Sequence, residues 1–258
     1  EGLQTIGERA FQGCTMLQSV TLPSSVTEVG NWAFYGCRNL TELLLNEGLV
    51  VIGGHAFQCC EALQIITLPS TVTELGVLAF LGCSSLGEVQ LNQGLRIVGE
   101  GTFCKCEALR SVALPLSITK LGKWAFYGCR NLTELRLNEG LQTIGDGAFA
   151  ECTALRRITL PSSVKKLGKE AFFDCPHLVE VKLNEGLQII GDLAFAHCIA
   201  LRSITIPSSV TEIRYRAFGG CSNLSELILL CGERLLNQDF LACGIFSEEQ
   251  GLLNQGAL

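Results

Sequence analysis

The chain has 258 residues, enough for one large domain or two ordinary ones, and its 48% hydrophobic and 17% charged content excludes a disordered tail. A net charge of −6, with both signs interspersed, argues against non-specific nucleic-acid binding. No apolar run approaches the roughly 20 residues of a membrane-spanning helix, so no membrane insertion is expected in this segment.

The chain opens at Glu1-Gly2, inside what proves to be a repeat, with no signal-like segment; its one Met is Met16. It reads as a fragment or a processed form. From Phe11 to Phe218 ten phenylalanines fall at an unbroken spacing of 23, and ten cysteines, Cys14 to Cys221, follow three residues behind them. Each unit reads roughly L/V-x-x-I/L-G-x-x-A-F-x-x-C-x-x-L-x-x-V/L-x-L. Ten units occupy residues 1–229 without insertion or deletion. Within each unit, the alternating L-x-x-V-x-L predicts a short strand with Val and the last Leu inward. Pro or Asn-x-Gly ends the strand. The stretch G-x-x-A-F-x-x-C suits one or two helical turns. A lone coil cannot bury its Leu, Ile and Phe, whereas stacked coils share one core. The expected fold class is therefore an α/β repeat solenoid of ten 23-residue coils, short strands on one face and short helical turns on the other.

A longer period lies inside the first. Junctions alternate between Pro23, Pro69, Pro115, Pro161 and Pro207 on one hand and Asn46, Asn92, Asn138 and Asn184 on the other. The repeat is thus a 46-residue pair of coils. The dodecamer WAFYGCRNLTEL stands at 32–43 and again at 124–135, two pairs apart, which points to duplication of the pair.

The string LPSSVTELGxxAFxGCxxLxxVxL, as in Pro69–Leu91 and Pro161–Leu183, resembles the BspA-like class of leucine-rich repeat. Proteins of that class stand on the surfaces of bacteria and protists, where several act as adhesins or bind host proteins. The resemblance implies a leucine-rich-repeat solenoid that binds other macromolecules. It transfers no catalytic residue, because the family motif contains none.

The ten periodic cysteines are expected as buried free thiols, since one Cys per coil makes a line and not a zinc cluster. Cys59, Cys104, Cys231 and Cys243 break the pattern, and the last two are close enough in sequence to pair. His55, His177 and His197 occupy three different slots and read as edge residues rather than as part of a Cys–His dyad. No hydrolase, P-loop, zinc-protease or dinucleotide fingerprint is present, so no enzyme, cofactor or metal is expected.

Two surfaces are candidates for a partner. On the strand face, outward residues before each inward Val or Leu include Glu42, Glu88, Glu134, Arg136, Arg157, Glu180 and Lys182. These make either an ion-pair lattice that solubilises the sheet or a mixed-charge platform for a protein. On the turn side, Trp32 and Tyr35, Leu78 and Leu81, Trp124 and Tyr127, and Phe173 place large residues on even coils beside smaller or polar ones on odd coils. Each either covers the core edge or belongs to an apolar docking stripe. Asn39, Asn131 and Asn223 stand in N-x-S/T sequons in one repeat slot.

After Leu229 the period is lost. Residues 230–258 are expected as a C-terminal cap with Leu235, Leu236, Phe240 and Leu241 inward, or as a linker. The function expected is non-enzymatic protein binding, in adhesion or at a cell surface as the resemblance implies, with an intracellular scaffold as the alternative. Self-association through the solenoid edge or the apolar stripe is a further use of the same surfaces.

Overall fold

The computed structural model describes residues 2–230. The expected cap, apart from its first residue, and the Cys231–Cys243 pair lie outside the described residues.

Ten coils stack in register, and every strand pairing is parallel and offset by 23 residues, as in Thr5↔Glu28. The expected strand is present in each coil as the stretch from Ser19–Thr21 to Glu226–Leu229. A second strand of two residues follows each junction, from Thr5–Ile6 to Glu212–Ile213. These short strands form the one continuous ten-stranded sheet. The longer strands pair only two by two, Ser19–Thr21 with Glu42–Leu44, Ile65–Thr67 with Glu88–Gln90, and so on. The 46-residue sequence period thus reappears as a pairing period, with a seam between successive pairs.

The junction residues account for the pairing. Asn92 donates to the carbonyls of Pro69 and Val72 in the preceding coil, at 2.6 and 2.9 Å, and accepts from Gly94 N at 2.6 Å. Asn46 and Asn138 repeat the arrangement. Each Asn therefore stitches a Pro junction to the junction that follows it. Across the seam the link is lighter. Glu47 accepts from the backbone and hydroxyl of Ser70, and Glu139 does the same with Ser162.

The expected helical turns are absent: no helix occurs among the described residues. In the turn around each Phe, alternate N–H groups leave the coil. Arg9, Phe11 and Gly13 donate to Asn31, Ala33 and Tyr35 of the next coil, while Ala10, Gln12 and Cys14 close local turns to the carbonyl three residues back. A helix needs all these donors within its own segment; stacking spends half of them between coils. The alternation puts the residues two before and two after each Phe at positive φ. Trp32 and Trp124, both at φ 53°, and Lys105, at φ 56°, hold a conformation that Gly36 and Gly128 reach without cost.

The core is a set of ladders. From Phe34 to Phe218 the rings are buried, and neighbouring centroids, including that of Phe11, lie 5.0–5.5 Å apart. The coil spacing of about 4.8 Å leaves near-parallel stacking as the only way to fill the interior. Full burial of each Phe contributes about 2–3 kcal/mol. Beside the Phe ladder, each thiol from Cys37 to Cys221 donates to the carbonyl of the Phe one coil back, as Cys83 Sγ does to Phe57 O at 3.1 Å. Cys14, in the first coil, is exposed. The recurrent glycine has a steric role: a Cβ at Gly76 or Gly168 would lie 2.5–2.6 Å from the backbone of the coil before.

Candidate recognition surfaces

On the turn side, the slot two residues before each Phe aligns side chains along the solenoid. The Arg9 guanidinium lies 5.0 Å above the Trp32 ring, and His55 stacks beneath it at 4.8 Å and 9°. His55 Nδ1 is 2.6 Å from Gln58 Oε1. Further along, Leu78 folds over Gly101 and Trp124 over Gly147, where any Cβ would collide with them. Covering the coil edge thus occupies most of this column, although Trp124 keeps 45% of its surface exposed. Tyr35 and Leu81 are half-buried. Tyr127 donates its hydroxyl to Glu151, which also meets Arg130 at 3.7 Å; that hydrogen bond, with burial, pushes the phenol up to about 12. Phe173 packs edge-on against His197 at 5.3 Å. Trp32 and Trp124 stand four coils apart, about 19 Å at the strand spacing, and form no single patch.

The strand face divides along its length. Arg157 reaches Glu180 at 3.4 Å and Lys182 reaches it at 3.1 Å; both cations hold that carboxyl below its ordinary range, Lys182 most. Arg136 lies 3.8 Å from Glu134, and Gln90 donates to Glu88 at 2.7 Å. This part is the ion-pair lattice. Toward the N-terminus the face changes. Leu44 and Ile65 are 51% and 52% exposed, and they flank the seam between the Glu42–Leu44 and Ile65–Thr67 strands. Glu42, Glu47 and Thr67 line the same cleft. Leu44 escapes a reading of the sequence because it sits in the run Leu43-Leu44-Leu45, where alternation carries no contrast.

Along the ladder burial pushes most thiols up, whereas a side-chain hydrogen bond with Cys198 lowers Cys221 at the C-terminal end. Burial raises Cys83, Cys106, Cys129 and Cys152 well above the ordinary value near 9, and raises Cys104 to about 11. All twelve cysteines among the described residues are free. Among those residues no group of three His, Cys, Asp or Glu is placed to hold a metal ion. His177 Nδ1 lies 2.8 Å from Thr153 O, in the slot that Asn39 and Asn131 use to reach the preceding coil. No helix among the described residues is long and apolar enough to cross a membrane.

This architecture has relatives of known structure. A leucine-rich repeat protein from Bacteroides ovatus superposes with a TM-score of 0.56 at 27% identity, over 87% of this chain and 76% of that one. The T. pallidum leucine-rich repeat protein gives 0.59 at 31% identity, over 72% and 78%. The pneumococcal vaccine antigen PcpA shares the fold, with a TM-score of 0.58 at 20% identity over 88% and 67%. No curated protein sequence matches the chain. The sequence profile of the BspA type leucine rich repeat region matches six copies across residues 1–110 and 96–225. With ten coils in one register and that profile covering nearly all of them, the chain belongs to the BspA-type leucine-rich repeat family.

Proposed function

We propose that the chain is a non-enzymatic recognition solenoid that binds a protein partner at a cell surface, in adhesion. Leucine-rich-repeat proteins generally bind proteins, and one observation directs that reading to a place. Leu44 and Ile65 are exposed at a seam where the strands are not laddered, with Glu42 and Glu47 around them. An apolar centre with a polar rim is the composition of a protein interface. The neighbouring Glu88, Glu134, Arg136, Arg157, Glu180 and Lys182 supply a charged flank that sets orientation more than affinity. Trp124, with Leu81 and Phe173, forms a second contact stripe on the turn side. Surface location is supported by the family resemblance and by the shared fold of a pneumococcal vaccine antigen. The twelve free thiols favour a second reading, an intracellular scaffold on the same fold.

The test has two parts. Intact cells of the native source are labelled with an antibody to the chain, and the purified protein is titrated against immobilised extracellular-matrix proteins. Surface labelling is expected, together with binding that Leu44→Asp with Ile65→Asp weakens about tenfold or more. Labelling only after permeabilisation would contradict the surface reading, and binding unchanged in the double variant would contradict the site.

A further inference from the structure

The outer face of the ten-stranded sheet carries a feature that the protein-binding reading leaves unused. In the fifth to eighth coils Arg96, Lys120, Lys165 and Lys166 are exposed and, among the described residues, have no carboxylate within 4.0 Å. Their neighbours Lys123 and Lys169 are paired, with Asp146 at 3.6 Å and Glu170 at 3.3 Å. In a chain of net charge −6, four unpaired cations on one short stretch of sheet are a local reversal of sign. The register sets their order. Lys120 is opposite Thr143, and Thr143 is opposite Lys166, so the two lysines repeat every second strand, about 10 Å apart. Arg96 and Lys165 run in the adjoining column with Thr119 and Gln142 between them. Gly122, Gly145 and Gly168 floor a shallow cleft beside these columns, because close coil contact forbids a side chain there.

We propose that this face binds a linear anionic polysaccharide lying along the solenoid axis, its sulfate or carboxylate groups on Arg96, Lys120, Lys165 and Lys166. The chemistry between the cations decides for a sugar chain. Thr119, Gln142 and Thr143 present hydroxyl and amide groups to match a ligand rich in hydroxyls. The backbone beneath is already committed to the parallel ladder, so an acidic peptide finds no edge to extend. The cleft lining includes no aromatic ring, which single-stranded nucleic acid uses for stacking. The periodic cations match a polymer that repeats its charge, and each contact is a charge-assisted hydrogen bond.

The test is a titration of the full chain with a heparin-derived dodecasaccharide and with an oligogalacturonate of equal length. A poly-glutamate peptide and a single-stranded DNA of matched charge serve as competitors. Lys120→Glu with Lys166→Glu is compared with Lys105→Glu with Arg216→Glu, an equal charge change on the turn side. Saturable, salt-sensitive binding of either saccharide is expected, and the stronger of the two tells sulfate from carboxylate recognition. The sheet-face variant should weaken it about tenfold or more, and the turn-side variant by less than about threefold. If the sheet-face variant melts early, the milder Arg96→Gln with Lys165→Gln replaces it. Absence of saccharide binding, equal loss in both variants, or tighter binding of the peptide or the DNA would overturn the proposal. Loss of protein binding on Leu44→Asp with Ile65→Asp leaves this result untouched, so the two sites are tested separately.

Discussion

At the scale of single residues, the structure turns on side chains that serve the coil beside them. Each ladder thiol fills an inward slot and donates to the Phe carbonyl one coil back, so its loss removes both packing and a hydrogen bond. The same burial makes the ladder sensitive to alkali. An unfolded thiol ionises near pH 9, while Cys83, Cys106, Cys129 and Cys152 stay protonated in the folded chain well beyond that. Their contribution is complete below pH 9 and is lost as the pH rises toward the folded values. Each such thiol steepens the loss by about 1.4 kcal/mol per pH unit. Urea unfolding at a series of pH values should therefore show stability flat near neutrality and falling steeply above pH 9, with a shallower fall in Cys129→Ala; a flat profile to pH 11 would contradict thiol burial. The positive-φ slots make a second prediction. Lys105 stands exposed at φ 56° in a slot where five other coils have Gly. Lys105→Gly should raise stability by roughly 0.5–1 kcal/mol, the relief of the left-handed backbone less the added freedom of the unfolded chain.

At the scale of elements, the junctions distinguish one interface from the next. Asn138, 6% exposed, spends its side chain on three backbone groups of two coils. Asn138→Ala should cost about 2–4 kcal/mol, measured by denaturant unfolding, because it leaves buried carbonyls without a donor. Replacing Asn39, which makes one exposed bond to Thr15 O, should cost under about 1 kcal/mol. Much of this was legible in the sequence. Unbroken spacing placed Phe34 and Cys37 inward, and the Pro–Asn alternation announced the pair. The helical turns were misread because a pattern within one coil cannot tell which N–H groups bond to the next coil. The continuous sheet was missed because a two-residue strand such as Lys120–Leu121 is too short to carry any alternation. At the candidate site, Glu180 with Lys182 and Arg157 could be read from charge order. The seam at Leu44 and Ile65 could not, since it exists only where two pairs meet.

At the scale of the whole molecule, the pair of coils is the unit from which both scaffold and surfaces are built. Within a pair, the Asn stitch and the long-strand ladder hold two coils together; between pairs, the Phe ladder, the short-strand sheet and the Glu–Ser links continue the stack. Stability of such an array is a sum of units and nearest-neighbour interfaces. The surfaces inherit the same period: seams recur once per pair, and Lys120 and Lys166 stand one pair apart. The most direct measurement compares two deletions by urea unfolding and circular dichroism. Removing residues 70–115 takes out one 46-residue pair and rejoins a Pro junction to its equivalent. Removing residues 70–92 takes out one 23-residue coil, deletes Asn92 and sets two odd coils side by side. The first variant should unfold in one cooperative transition with its coils intact, and the second should lose several kcal/mol more or break cooperativity at the new contact. Equal stability of the two variants would show that the single coil, and not the pair, is the unit.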